Sequence, residues 1–196
     1  MKYCVVLMRL ELIRFFLLCT SVMLQIISAT NRNNSYTEGV ANSYCLLAKD
    51  WEIPYTLKSL TDFPEVAPGD FIYRKGDNPL RTYAHSLFDA SDKTLLIVPE
   101  YNGSIPGILK LIIDCADPEI YRGKKIALTG VASGRGGNLR GLDHLTGMFH
   151  YLKSEVYSDK LPISRIRALV NDERLITDVS TLEAMSYQMS RFYQSF

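Results

Sequence analysis

The chain is short of the residues that build metal and disulfide sites. Its four cysteines, Cys4, Cys19, Cys45 and Cys115, stand far apart with no C-x-x-C pair, and none of its three histidines, His85, His144 and His150, sits at ligand spacing from a cysteine. That argues against a zinc centre and a disulfide framework, and for a reducing, cytoplasmic setting. A charge excess is missing too: 22 Lys and Arg face 21 Asp and Glu, for a net charge of +1. Proteins that grip a nucleic-acid backbone carry a clear basic excess, and small acidic electron carriers lean the other way. The balance points to a small-molecule task. Nor is there a long apolar run. Phe15 to Ile27 is uncharged and mostly apolar, but it is too short to span a bilayer, and Arg9, Glu11 and Arg14 interrupt it upstream. The run has the look of a secretion-signal core, yet cleavage after Ala29 would remove Met23 to Ser28, which reads as a core strand. The expected organisation is an N-terminal extension over residues 1–22, outside the fold, and one domain over 23–196. No membrane and no nucleic-acid partner is expected.

What the 196 residues do have is an ordinary globular composition, 47% hydrophobic and 22% charged, enough apolar surface to offset chain entropy in one domain. Short continuous apolar runs alternate with helical patterns. Leu24 to Ile27, Ile53 to Leu57, Thr94 to Val98, Lys125 to Val131 and Glu155 to Tyr157 read as strands, with Leu161 to Ile163 as an extended rim. Tyr36 to Lys49, Leu80 to Ala90, Ile105 to Ala116, Leu139 to Tyr151 and Asp172 to Phe192 read as helices, Pro106 lying in the first turn of the third. Thr61 to Pro79 is a long loop rich in Pro, Gly and Asp, of the kind that often carries function. Unbroken apolar strands between helices mean a parallel sheet covered on both faces. Five strands suggest the smaller doubly wound sheet, with ligands at the carboxyl edge.

Three loops that follow strands should share that edge. The first, Ser28 to Thr37, offers hydroxyls, amides and Arg32 ahead of a helix N-terminus, a setting that suits a phosphate; the alternative is an N-capped loop with no ligand. It lacks the P-loop pattern. The second, Pro99 to Gly107, is a tight polar turn able to lie against a flat heterocycle, or one merely solvated by Glu100 and Asn102. The third, Ser133 to Asn138, is glycine-rich and allows close backbone approach.

Together these loops resemble those of the NADPH-dependent FMN reductase family of flavodoxin-like flavoproteins, which includes quinone and chromate reductases. Ala29-Thr30-Asn31-Arg32-Asn33-Asn34-Ser35-Tyr36-Thr37 is similar to the family's first loop, with Ala29 and Thr37 in place of the usual Gly and Asn. Pro99-Glu100-Tyr101-Asn102-Gly103-Ser104-Ile105-Pro106-Gly107 closely matches its P-E-Y-N-x-S-x-P-G, and Ser133-Gly134-Arg135-Gly136-Gly137 its third loop. The resemblance runs from about Met23 to Tyr157; residues 1–22 have no counterpart, and the Asp62 to Pro79 loop looks lengthened.

The resemblance implies a flavodoxin-like doubly wound five-stranded parallel sheet with helices on both faces. It implies non-covalent FMN, with Thr30, Arg32, Ser35, Tyr36 and Thr37 around the phosphate. Pro99, Glu100, Tyr101, Asn102, Gly103 and Ser104 would contact the isoalloxazine, and Ser133, Gly134, Arg135, Gly136 and Gly137 would border its pyrimidine side. NADPH or NADH would deliver hydride, and a quinone, free flavin, azo compound or metal oxyanion would then be reduced by ping-pong. No catalytic side chain and no metal ligand is required. The alternative is an electron-carrier flavodoxin without nicotinamide turnover. A homodimer or homotetramer is expected, with Phe71-Ile72-Tyr73 as a candidate contact. His85, His144 and His150 read as structural or solvated, and Cys115 as core.

Overall fold

The structure is a computed structural model, and it describes residues 22–64, 78–88 and 91–195. The chain enters the fold at Val22, whose carbonyl accepts a hydrogen bond from the Tyr193 hydroxyl at 2.9 Å. Among the described residues five helices alternate with strands: β1 (Leu24–Ser28), α1 (Tyr36–Asp50), β2 (Tyr55–Ser59), α2 (Pro79–Phe88), β3 (Lys93–Pro99), α3 (Gly107–Cys115), β4 (Lys125–Val131), α4 (Leu139–Tyr151), β5 (Glu155–Val156), β6 (Leu161–Ile163) and α5 (Val179–Gln194). All strand pairs are parallel, in the order β2-β1-β3-β4-β5. This is the flavodoxin-like doubly wound order.

Alternate residues of the central strands feed two cores. Leu24, Ile26, Leu95 and Ile97 pack under α1 and α5 with Val40, Tyr44, Met185 and Phe192. Ile27, Leu96, Val98 and Leu128 pack on the other face under α2, α3 and α4 with Leu87, Ile112, Leu145 and Phe149. Burial on both faces is why these strands read as unbroken apolar runs rather than alternating ones.

The fifth strand differs from the expected single Glu155–Tyr157 segment. β5 and β6 both lie on β4, but Lys125 faces Glu155 whereas Thr129 faces Leu161, so the ladder is interrupted and the rim itself is a paired strand. Gln188 of α5 spans the gap. Its amide nitrogen donates to the Leu128 carbonyl at 3.1 Å and the Asp159 carbonyl at 2.9 Å. Its carbonyl oxygen accepts from Tyr44 at 2.7 Å and Thr129 at 2.8 Å. Burial raises the Tyr44 pKa further above its ordinary value, so this hydroxyl keeps its proton.

The last helix begins at Val179 rather than Asp172, because the Asp178 carboxylate caps the Thr181 N–H at 2.9 Å. Residues before it form a short turn, Ile166–Ala168, and a hairpin closed by the Val170–Ile176 bridge. Helix α3 starts at Gly107, so Pro106 occupies the cap and not the first turn. Strand β2 lies two residues later than expected. The extension up to residue 21, most of the long loop after Asp62, and the Phe71-Ile72-Tyr73 cluster lie outside the described residues.

Candidate functional site

The strand order reverses between β1 and β3, and the loops that leave their carboxyl ends diverge to opposite faces. Such a point opens a crevice. The cleft found there has a volume of about 290 Å3 and is walled by all three loops: Arg32 to Thr37 from the first, Pro99 to Tyr101 from the second, and Val131 to Ser133 leading into the third.

Each loop is held by its own chemistry. The Ser35 hydroxyl accepts the Glu38 N–H at 3.1 Å and caps α1, whose first residues, Tyr36 and Thr37, line the cleft. Thr30 is buried behind this loop, and its hydroxyl meets the Tyr101 hydroxyl at 3.0 Å, tying the first loop to the second. The second loop is a tight turn in which Tyr101 and Ser104 exchange both backbone hydrogen bonds at 3.0 Å. Asn102 and Gly103 at its tip have φ of 52° and 74°. Positive φ at both central residues is the primed-turn geometry that favours Asn-Gly.

The third loop needs its glycines for close approach. A Cβ on Gly130 would lie 2.2 Å from the Gly137 carbonyl oxygen, and one on Gly137 would lie 2.8 Å from the Pro162 carbonyl carbon. The Asn138 side chain donates to the Val98 and Pro99 carbonyls, both at 3.1 Å, which pins this loop to the end of β3.

Of the residues expected at the site, Arg32, Ser35, Tyr36, Thr37, Pro99, Glu100, Tyr101 and Ser133 line the cleft. Thr30 acts from behind. Gly136 comes near the Glu100 carboxylate, at 4.0 Å from a built Cβ. Asn102 and Gly103 form the outer tip of the turn. Ser104 faces away from the cleft, where its hydroxyl bonds His144 Nδ1 at 2.8 Å. Gly134 accepts the Arg165 N–H at 2.9 Å, and Arg135 lines a separate shallow hollow beside Ser164 to Leu169.

Two basic residues were not anticipated in the cleft wall: Arg167, in the turn after β6, and Arg174, in the hairpin before α5. Arg174 stacks its guanidinium over the Tyr36 ring, 4.9 Å from the centroid. Among the described residues no carboxylate forms an ion pair with Arg32, Arg167 or Arg174. Three arginines lining a cleft at a helix N-terminus suit an anion, and the neighbouring turn offers a polar surface. No cluster of metal-ligating side chains occurs among the described residues, and no described helix is long and apolar enough to cross a membrane.

The family model described as NADPH-dependent FMN reductase matches residues 22–166, most of the chain. The chain belongs to this family. The description of that family names FMN and NADPH. The chain is 34% identical over 96 residues to a 2-hydroxy-1,4-benzoquinone reductase of a Burkholderia species, covering 47% of this chain and 45% of that protein. It is 30% identical over 103 residues to an NAD(P)H-dependent FMN reductase of Pseudomonas aeruginosa, covering 51% and 52%. The matches thus span about half the length of these curated relatives. Among solved structures, the flavoenzyme NAD(P)H:(acceptor) oxidoreductase FerB of Paracoccus denitrificans superposes with a TM-score of 0.68 at 21% identity, over 87% of this chain and 94% of that one. That likeness is one of fold.

Proposed function

We propose that the protein is an NAD(P)H-dependent flavin oxidoreductase that carries reducing equivalents from a nicotinamide to a second small acceptor, a quinone, free flavin, azo compound or metal oxyanion, by ping-pong through one site. Family membership supports this, and one observation carries it: loops some seventy and thirty residues apart in sequence wall a single cleft at the reversal point of the sheet.

The residues present suit FMN. Arg32 and the capped N-terminus of α1, with Ser35, Tyr36 and Thr37, form the phosphate end, and Thr30 braces it. Pro99 to Tyr101, with Asn102 and Gly103 at the tip of the turn, would lie against the isoalloxazine, and Ser133 and Gly136 would border its pyrimidine side, whereas Ser104 and Arg135 face other hollows and are left out of the assignment. FMN held there would supply a two-electron redox centre between the nicotinamide and the acceptor. The chain's own work is to bind, orient and exclude water. Backbone N–H groups of the third loop would donate hydrogen bonds to the pyrimidine edge of the ring. The proton-donor and nucleophile roles need no side chain of this protein, and we assign none. With a quinone the overall balance is NAD(P)H, one proton and quinone giving NAD(P)+ and hydroquinone.

We further propose that two or more copies assemble through α3 and α4. A groove of about 920 Å3 runs between these helices, with Ile105, Ile113, Met148 and Leu152 in its walls and the largely exposed Tyr151 at its margin. An open apolar groove of this size is a natural contact surface. We take the setting to be cytoplasmic, supported by Cys45 and Cys115, which are unpaired buried thiols. We also take residues 1–22 to be an extension that flavin binding does not require.

The test is to saturate the purified protein with FMN and follow NADPH oxidation with a quinone. Steady turnover is expected. A protein that binds FMN yet oxidises no NADPH or NADH would be an electron carrier, and one that stays colourless in excess FMN would end the proposal.

A further inference from the structure

We infer that Arg174 selects for the phosphate monoester of the bound flavin, through a strap of chain that lies beyond the segment matched by the family model. The inference rests on the proposed FMN reading of the cleft. The family match ends at residue 166, and Arg174 stands outside it.

The strap is built to deliver this side chain. The Val170–Ile176 bridge closes it, the Asn171 side chain accepts the Leu175 N–H at 2.9 Å, and Thr177 donates to the Leu169 carbonyl at 2.9 Å. Docking to α1 runs through a relay in which the Ile176 N–H donates to the Ser43 hydroxyl at 3.0 Å and that hydroxyl donates to the Gly39 carbonyl at 2.9 Å. The contact is so close that a Cβ on Gly39 would fall 2.1 Å from the Arg174 carbonyl oxygen. Arg174 itself is held at φ 63°, a left-handed conformation that costs an arginine energy and persists only where its surroundings impose it.

The outcome of this construction is a half-buried guanidinium stacked on Tyr36, the first residue of α1. A cation parked at the positive end of a helix dipole is electrostatically misplaced. Arg32 and Arg167 line the same cleft, and Glu100 is the one carboxylate among its lining residues. Like charges gathered at a helix N-terminus, with no carboxylate ion-paired to them among the described residues, become favourable when a dianion arrives. Stacking on Tyr36 fixes the planar fork beforehand, so less rotamer freedom is lost on binding.

The experiment compares two ligands that differ by the phosphate alone. FMN and riboflavin are titrated into the full chain, wild type and the neutral variants Arg174→Gly and Arg174→Gln. Glycine suits the left-handed backbone, so Arg174→Gly should keep the thermal midpoint; Arg174→Gln provides a second reading if it does not. FMN affinity should fall about 10- to 50-fold in both variants, while riboflavin affinity stays within about twofold. Added salt should weaken FMN binding less in the variants than in wild type. Unchanged FMN affinity would overturn the inference, and so would a parallel loss of both ligands, which would make the strap a mere structural prop. If the wild type binds neither flavin, the FMN reading itself fails.

Discussion

Two hollows of this molecule meet at one turn and obey opposite chemistry. Tyr101, at the start of the turn, faces the cleft and bonds Thr30; Ser104, at its end, bonds His144 beside the groove between α3 and α4. In the cleft, three guanidiniums stand without carboxylate partners among the described residues. Along the groove, charges of both signs are already paired: Lys110 with Asp114 at 2.6 Å and Lys160 with Asp143 at 2.8 Å. The Lys160 ammonium holds the Asp143 carboxyl below its ordinary pKa. Unspent charge draws a ligand, whereas satisfied charge leaves only apolar contact to offer. The first hollow is thus suited to a small anion and the second to another protein surface.

Substitutions can break this division, the largest effect first. Gly39→Ala drives a methyl into the Arg174 backbone, which can move only if the strap peels from α1. A loss of about 2–4 kcal/mol in urea unfolding is expected, with FMN affinity falling and the mass in solution unchanged. Arg32→Ala removes a charge-assisted contact and should weaken FMN by about 1–3 kcal/mol in a titration; unchanged affinity would mean that the phosphate sits elsewhere. Tyr101→Phe deletes the bond between the two loops and leaves the buried Thr30 hydroxyl without it, for a loss of about 0.5–1.5 kcal/mol in the same titration. Tyr151→Ser with Leu139→Ser touches only exposed apolar surface on α4. It should alter the mass seen by light scattering while shifting flavin affinity by less than about 0.5 kcal/mol. If that pair weakens FMN as strongly as Arg32→Ala, the two hollows are not independent.

The sequence made the central architecture readable because the local and global signals agree. The apolar runs at Leu24, Thr94 and Lys125 are buried on both faces, and helix α4 begins and ends where its pattern does. The three loops were legible through turn chemistry: a serine before a helix, Asn-Gly in a primed turn, glycines where backbones touch. What escaped was tertiary. Arg167 and Arg174 carry no local mark of the cleft, since they reach it only when the chain after β6 folds back over α1. The sequence reading starts the last helix at Asp172, and only the Asp178 cap shows that it begins at Val179. The Ser104–His144 bond likewise joins residues forty apart. The break in the fifth strand is visible only against the β4 register.

That break bears on how copies of this protein avoid one another. A sheet margin normally exposes a rail of free N–H and C=O groups along which a foreign strand can zip. In this fold the β5–β6 margin is two short stubs out of step, and between them the Asp159 carbonyl is turned inward to the Gln188 side chain. An intruding chain would find no continuous template along that margin.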